Sequence, residues 1–316
     1  MKHILKCTAL LLVPVLLYFG VFIAFEPNNY FGLRKTTSAE APIARLQAFD
    51  RAPGNSIIIG DSRFAHFDMK QVETVSGRAW QNLAFGGASL KEGVDLLEWA
   101  MEKNPNLQEV VFGLSFYTIN QSYNTDRMSS LEKTLNNPLA YLFNLEYNVN
   151  MLTAISERLQ GLPSGAVEET GDWAYPADYT AADGTVYQLH TRLAEYPAAI
   201  TPRCQNWALN ETELEEFRRV AQSCQQKGIR LTVVLAPMAD NVLNEVCEPF
   251  GISTQMNEEL LPRLDGWARY YGFSVLDYEW QNRPDFDDDT QFFDGFHLDT
   301  RYGLPQWVSQ LFTDIG

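Results

Sequence analysis

Cysteine, histidine and basic residues are the scarce components of this chain. Its 316 residues hold only four cysteines, Cys7, Cys204, Cys224 and Cys247. No two of them form a C-x-x-C pair, which argues against a zinc site or a thiol-redox motif. Only four histidines occur, His3, His66, His190 and His297. Lysine and arginine total 24 against 40 acidic residues, a formal charge of −16. That balance argues against nucleic acid, whose phosphates need basic patches. No internal repeat is visible. The acidic run Asp285, Asp287, Asp288 and Asp289 lacks the turn glycine and terminal glutamate of a calcium loop. It reads as a solvated loop, and no metal and no cofactor is expected.

Charge is also missing from one long stretch. Cys7 through Phe25 is free of charge and nearly all apolar, about the length that crosses a bilayer as one helix. Lys2 and Lys6 precede it and Glu26 follows, which places the amino terminus in the cytoplasm and the body outside. A cleaved signal peptide is the alternative, but Val21 to Phe25 lacks a small-x-small site. The expectation is an uncleaved anchor over 1–25, a tether over 26–53 with a short helix around Ile43 to Phe49, and a single domain over 54–316. With the body outside the cytoplasm, Cys204 and Cys247 are the candidate disulfide pair. Cys224 reads as core.

What is present is a core-forming composition, 46% hydrophobic and 13% aromatic. Strands are predicted at Ile57–Ile59, Ala79–Leu83, Glu109–Leu114, Arg230–Ala236 and Phe273–Leu276, each separated from the next by helix. Ser89 with Glu92 makes a capping box for a helix to Lys103. Asn210 caps a helix that carries Leu214, Phe217, Val220, Ala221 and Cys224 on one face, and Gly228 stops it. The alternation predicts an α/β fold with a five-stranded parallel sheet in flavodoxin-like order. A long aromatic-rich insertion over 116–205 interrupts it after the third strand. One helix is predicted there over Leu139 to Leu159, and Asp183-Gly184 reads as a hairpin turn. Such an insertion is expected to cover or shape the site. Trp173, Tyr175, Tyr179 and Tyr187 are either core or a platform for a sugar ring.

The chemistry sits at the strand ends. Ile57-Ile58-Ile59-Gly60-Asp61-Ser62-Arg63 places a serine just past a buried strand, where a turn lifts the hydroxyl to the rim of the sheet. Phe293-Asp294-Gly295-Phe296-His297 follows the last strand with an acid three residues before a histidine. A serine needs a base, and an imidazole needs a carboxylate that fixes its tautomer. Ser62, His297 and Asp294 supply these parts. Arg63, His66 and Asn82 are candidate substrate-binding residues, with a structural ion pair the competing role for Arg63 and structural hydrogen bonding for His66.

Gly60-Asp61-Ser62 and Asp294-x-x-His297, in this order, resemble the SGNH (GDSL-like) hydrolase superfamily. The likeness covers roughly the whole soluble part, by order of blocks. It is nearest in style to membrane-anchored members that partner membrane-bound O-acyltransferases in alginate acetylation and teichoic-acid D-alanylation. The resemblance implies a three-layer fold and an acyl-serine on Ser62. It implies an oxyanion hole from the Ser62 N–H, a glycine after strand two (Gly86 or Gly87, with Gly87 preferred) and an asparagine after strand three. That asparagine is absent. Gly113-Leu114-Ser115 stands in its place, making Ser115 the candidate third donor, with Asn120 and Asn82 as alternatives. The expected function is a serine-dependent O-acyl esterase or transferase, with acetyl the expected group, acting on an acylated envelope polysaccharide. It would face the periplasm or exterior from a single-pass anchor in a bacterial inner membrane, with a membrane-bound O-acyltransferase the implied partner. The competing expectation is an idle scaffold that binds glycan or docks on such a partner.

Overall fold

The computed structural model describes residues 2–33, 41–160, 178–180 and 186–316. In chain order the main elements begin with α1 (Lys2–Phe25), α2 (Pro42–Arg51), β1 (Ser56–Ile59), α3 (Ser62–Ala65) and α4 (Met69–Ser76). There follow β2 (Gln81–Asn82), α5 (Leu90–Lys103), β3 (Glu109–Leu114), α6 (Met128–Leu135), α7 (Pro138–Leu142) and α8 (Leu145–Leu159). The chain closes with α9 (Leu189–Cys204), α10 (Glu211–Lys227), β4 (Arg230–Leu235), α11 (Leu261–Tyr271), β5 (Ser274–Asp277) and α12 (Gly303–Ile315). By internal contacts the chain forms two units, Met1–Arg51 with Ser129–Thr170, and Ala52–Met128 with Gly171–Gly316.

The second unit carries a five-stranded, all-parallel sheet in the order β2-β1-β3-β4-β5. This is the order expected of a flavodoxin-like fold. Ile57, Ile58, Val110, Val111, Val233 and Val234 are all buried, as parallel strands covered on both faces must be. On one side Ile58, Val111 and Val234 share a core with Val72 of α4 and Trp307, Val308 and Leu311 of α12. On the other, Phe112 meets Phe217 of α10 with ring centroids 5.2 Å apart. The predicted caps form. Ser89 and Glu92 make a reciprocal capping box on α5. Asn210 accepts from the Glu213 N–H, and Gly228 ends α10 in the left-handed region at φ 69°.

Strand β2 is shorter than predicted, two residues rather than five. Its ladder nevertheless continues into the following loop. The Leu83 N–H donates to the Ile58 carbonyl at 2.8 Å and the Phe85 N–H to the Gly60 carbonyl at 3.1 Å. These bonds draw Gly86 and Gly87 up to the turn that carries Ser62.

The first unit pairs the N-terminal segment with the front half of the insertion. Tyr18 donates its hydroxyl to the Leu142 carbonyl and to Asn148 Oδ1, both at 2.7 Å. Tyr30 and Tyr141 stack with centroids 4.0 Å apart. Tyr141 donates to Glu26 at 2.8 Å and accepts from Asn28 at 3.0 Å. The single helix predicted over 139–159 is two. Asn144 accepts the N–H groups of Glu146 and Tyr147 through its side chain, which starts α8 afresh, and Asn137 does the same for α7. An asparagine that satisfies orphan N–H groups favours a new N-terminus over continuation.

Among the described residues no helix is long and apolar enough to cross a membrane, the side chains of 2–9 and 11 lying outside the description. Trp173, Tyr175 and the turn at Asp183-Gly184 also lie outside it. The strands Asp178–Thr180 and Val186–Gln188 pair antiparallel, with Tyr179 opposite Tyr187. The predicted disulfide is not made. Cys204 and Cys247 are free, buried thiols, as is Cys224. Burial raises all three thiols above their ordinary range, and Cys204 also raises Cys247, so those two lie within electrostatic reach.

Candidate active site

At the carboxyl end of β1 the chain turns at Gly60 and enters the one-turn helix α3 with Ser62 as its first residue. The ring of Phe64, fully buried, lies so close to Gly60 and Gly113 that a side chain at either would collide with it. This packing pins the turn. Asp61 caps α3 by accepting from the Arg63 N–H at 3.0 Å.

Ser62 Oγ lies 2.8 Å from His297 Nε2. His297 Nδ1 lies 2.8 Å from Asp294 Oδ2 and 3.0 Å from Oδ1. The Asp294 Oδ1 also accepts from the backbone N–H groups of Phe296 and His297, each at 2.8 Å. The loop is closed on itself, since Phe293 donates its N–H to the His297 carbonyl at 2.8 Å and Phe292 bridges Leu298. Burial alone would raise the Asp294 carboxyl. The neighbouring imidazole and the two N–H donors outweigh burial and hold it below the ordinary carboxylate range. With that carboxylate ionised, the imidazole keeps its proton on Nδ1 and turns the lone pair of Nε2 to the serine.

A cavity of about 180 Å³ opens on these groups. Asp61, Ser62, Arg63, Gly87 and Ala88 line it together with Tyr117, Tyr123, Tyr196, Arg203, Phe296 and His297. Gly87 holds φ +64°, where a side chain is strained, and an added Cβ would also press on the Tyr123 hydroxyl. Its peptide planes are fixed from behind. Arg127 donates to the Gly86 carbonyl at 3.1 Å and the Gly87 carbonyl at 2.9 Å, and Tyr123 donates to the latter at 2.8 Å. Arg127 is itself clamped by the fully buried Glu92 at 2.7 Å. Among the described residues the N–H groups of Ser62 and Gly87 donate to no protein acceptor. Both are therefore available to an oxyanion.

The other sequence candidates are placed differently. Arg63 lines the cavity but spends its guanidinium on Asp61 at 2.6 Å and Glu279 at 3.3 Å, both buried, so its part is structural. Ser115 is fully buried away from the cavity and accepts from the N–H groups of Tyr117 and Thr118. A hydroxyl engaged in that turn is not the third donor. Asn82 holds the Phe64 carbonyl at 2.8 Å and the Ala84 N–H at 3.0 Å. Asn120 holds the Arg203 carbonyl at 2.8 Å. Neither asparagine, nor His66, lines the cavity.

Three features had no sequence signal of their own. Tyr196 and Arg203, one face of α9, come to the cavity from the rear of the insertion. Burial raises the Tyr196 phenol well above its ordinary range, so it is a hydroxyl donor at any physiological pH. Among the described residues it has no hydrogen-bond partner, and its ring packs against Gly295 and Phe296. Glu279, just past β5, is fully buried and accepts from Arg63, the Phe116 N–H and the Trp280 indole. Burial raises its carboxyl to about 8, against the pull of Arg63.

Among the described residues no group of three His, Cys, Asp or Glu side chains is placed to hold a metal ion. In the acidic loop, Asp287 caps a turn through the Asp289 N–H, and Asp288 accepts from the Asp240 N–H. Compared with known proteins, the chain matches no protein-family model and no curated protein.

Proposed function

We propose that this protein is a serine-dependent O-acyl esterase or acyltransferase of SGNH type that works through an acyl-serine on Ser62. The observation that carries the reading is the unbroken chain of hydrogen bonds from Ser62 through His297 to Asp294. Ser62 Oγ attacks the acyl carbonyl while its proton passes to His297 Nε2. Negative charge moves to the carbonyl oxygen, which the Ser62 and Gly87 N–H groups receive. Asp294 stabilises the imidazolium. That imidazolium returns the proton to the departing alcohol oxygen as its bond to the acyl carbon breaks. Water or a glycan hydroxyl then attacks the acyl-serine by the reverse sequence, giving hydrolysis or transfer.

The cavity, about 180 Å³, is smaller than the ~300–1,000 Å³ typical of small-molecule pockets. That size favours a short acyl group such as acetyl. Three tyrosines and the exposed Arg203 surround it, a lining suited to a saccharide with its hydroxyls and apolar ring faces. An acylated cell-envelope polysaccharide is therefore the proposed substrate, and a membrane-bound O-acyltransferase the proposed partner. The anchor reading draws on the 24-residue helix α1, whose residues 12–17 are exposed on every face. A helix that is apolar all round belongs in lipid. The proposed place is thus the bacterial inner membrane, with the catalytic unit outside.

The position of Ser115 favours the competing scaffold reading, because the third family donor is missing. One experiment separates the two. A serine-directed fluorophosphonate is expected to label the pure protein once, on Ser62, and Ser62→Ala is expected to abolish both labelling and turnover of an aryl acetate. A folded protein that takes no label leaves the scaffold.

A further inference from the structure

The first unit exposes a run of large apolar side chains. Beyond α1 itself, helices α7 and α8 and the link between them present Leu139, Phe143, Leu145, Val149, Leu152 and Leu159 to the outside. Leu145 is 80% exposed and Leu159 84%. In α8 these residues form one stripe at spacings of four, three and seven, opposite the stripe of Tyr147, Met151 and Ala154 that is buried. Only Ser156 interrupts it, and the sequence from Leu139 to Ile155 contains a single charged residue, Glu146. Contiguous exposed apolar patches mark an interaction surface.

Contacts to α1 fix what that surface faces. From residue 12 to 17 α1 is exposed all round, and from Tyr18 onward it is packed on one side. Phe143 touches Tyr18 and Phe19, with centroids 6.2 and 6.0 Å away, and Arg158 at the far end of α8 lies 5.7 Å from the Phe25 ring. Tyr18 to Phe25 amounts to roughly 12 Å of helix at 1.5 Å per residue. At the Arg158 end it is thus the buried face of α8 that meets the last two turns of α1, and the exposed stripe looks away from α1. Just past α1 the polar groups are enclosed, Glu26 and Asn28 being buried against Tyr141.

We propose that α7 and α8 lie in the outer leaflet of the membrane, the exposed stripe of α8 against acyl chains, with the Phe143 end deepest and Arg158 at the headgroups. This rests on the anchor reading of α1. It makes the insertion a second, tilted membrane contact that sets the depth of the first unit.

The test uses the full chain carrying Cys7→Ser and one new cysteine at a time, labelled with an environment-sensitive fluorophore. The three native thiols left are buried and free. Labels go at Leu145→Cys, Val149→Cys and Leu152→Cys, with Leu12→Cys in α1 and the exposed Gln226→Cys as references. The protein is placed in phosphatidylcholine vesicles with ordinary or brominated acyl chains, and iodide is the aqueous quencher. The α8 labels are expected to lose at least half their emission to brominated lipid and little to iodide, as at position 12, with position 226 the reverse. Lipid quenching at 12 but iodide quenching on α8 would overturn the proposal and spare the anchor. No lipid quenching at 12 would remove the anchor and the proposal together. Shielding of α8 from both quenchers would show that protein covers the stripe, a second copy or another chain, and would also overturn it.

Discussion

Ser62 Oγ and His297 Nε2 are 2.8 Å apart although 235 positions separate them in the chain. The parallel sheet brings them together, because the loops after β1 and β5 leave the same edge. Asp294 is the link that makes this contact useful, since its bond to Nδ1 leaves Nε2 to accept from the serine. Asp294→Asn should leave the fold intact and lower kcat on an aryl acetate by about 10³–10⁴-fold, the scale of losing the correct tautomer in a serine triad. Steady-state kinetics beside a far-ultraviolet spectrum measures it. An asparagine variant within tenfold of the parent would show that His297 is oriented by something else.

Tyr196 is the group in the cavity best suited to replace the donor that Ser115 does not supply. It lines the cavity, its raised phenol stays protonated, and no described residue engages its hydroxyl. Tyr196→Phe keeps the ring that packs on Gly295 and Phe296 and removes only the donor. The expected result is a fall in kcat of about 10²-fold, the lower end for one oxyanion donor, with KM and unfolding midpoint little changed. A rise in KM at constant kcat would instead assign the hydroxyl to ground-state binding of substrate.

The sheet and the triad were legible because their signals are local. Buried parallel strands are short β-branched runs, their helices start at Ser89 and Asn210 and end at Gly228 and Gly272, and each candidate motif lies within a few residues of a strand end. The Asn144 break was also local, but apolar periodicity runs through it, and only the two N–H groups captured by its side chain decide the matter. What stayed hidden depends on side chains that meet across the chain. Tyr18 with Asn148, Arg127 with Glu92 and Arg63 with Glu279 are such pairs, separated by 130, 35 and 216 positions. Ser115 is instructive in the other direction. The Ser115-x-x-Thr118 spacing allows a closed turn, and that turn takes the hydroxyl expected to stand in for the family's asparagine.

Arg127 is a positioning residue for the proposed oxyanion hole. It grips the Gly86 and Gly87 carbonyls with its fork and is held by Glu92, so the Gly87 N–H points where the peptide is fixed. Arg127→Lys keeps the charge opposite Glu92 but loses the planar fork. It should reduce kcat by about tenfold while most of the stability remains. Arg127→Ala leaves the Glu92 carboxylate without its counter-charge, though still bonded to Ser89, Thr125 and the residue-127 N–H, and should cost about 1–3 kcal/mol in urea unfolding. Equal activity in the lysine variant would mean that Tyr123 and Thr125, which also donate to the Gly87 carbonyl, hold the turn without the fork.

Glu279 makes stability depend on pH with a sign opposite to that of its neighbours. Burial would raise Asp294 and Asp61, but His297 and Arg63 respectively, with N–H donors, outweigh it and hold them below the ordinary range. Each contributes stability that is present above the unfolded value of about 4 and is lost as pH falls. Glu279 is raised to about 8, chiefly by burial. Between roughly pH 4.5 and 8 the folded protein therefore binds a proton there that the unfolded chain has released, and stability falls as pH rises. Glu279→Gln, which mimics the protonated side chain, should flatten this fall and leave the acid-side loss unchanged. Urea unfolding midpoints at pH 5, 6, 7 and 8 measure both arms. A slope that persists in the glutamine variant would assign the alkaline loss to another group and leave Glu279 ionised beside Arg63 throughout.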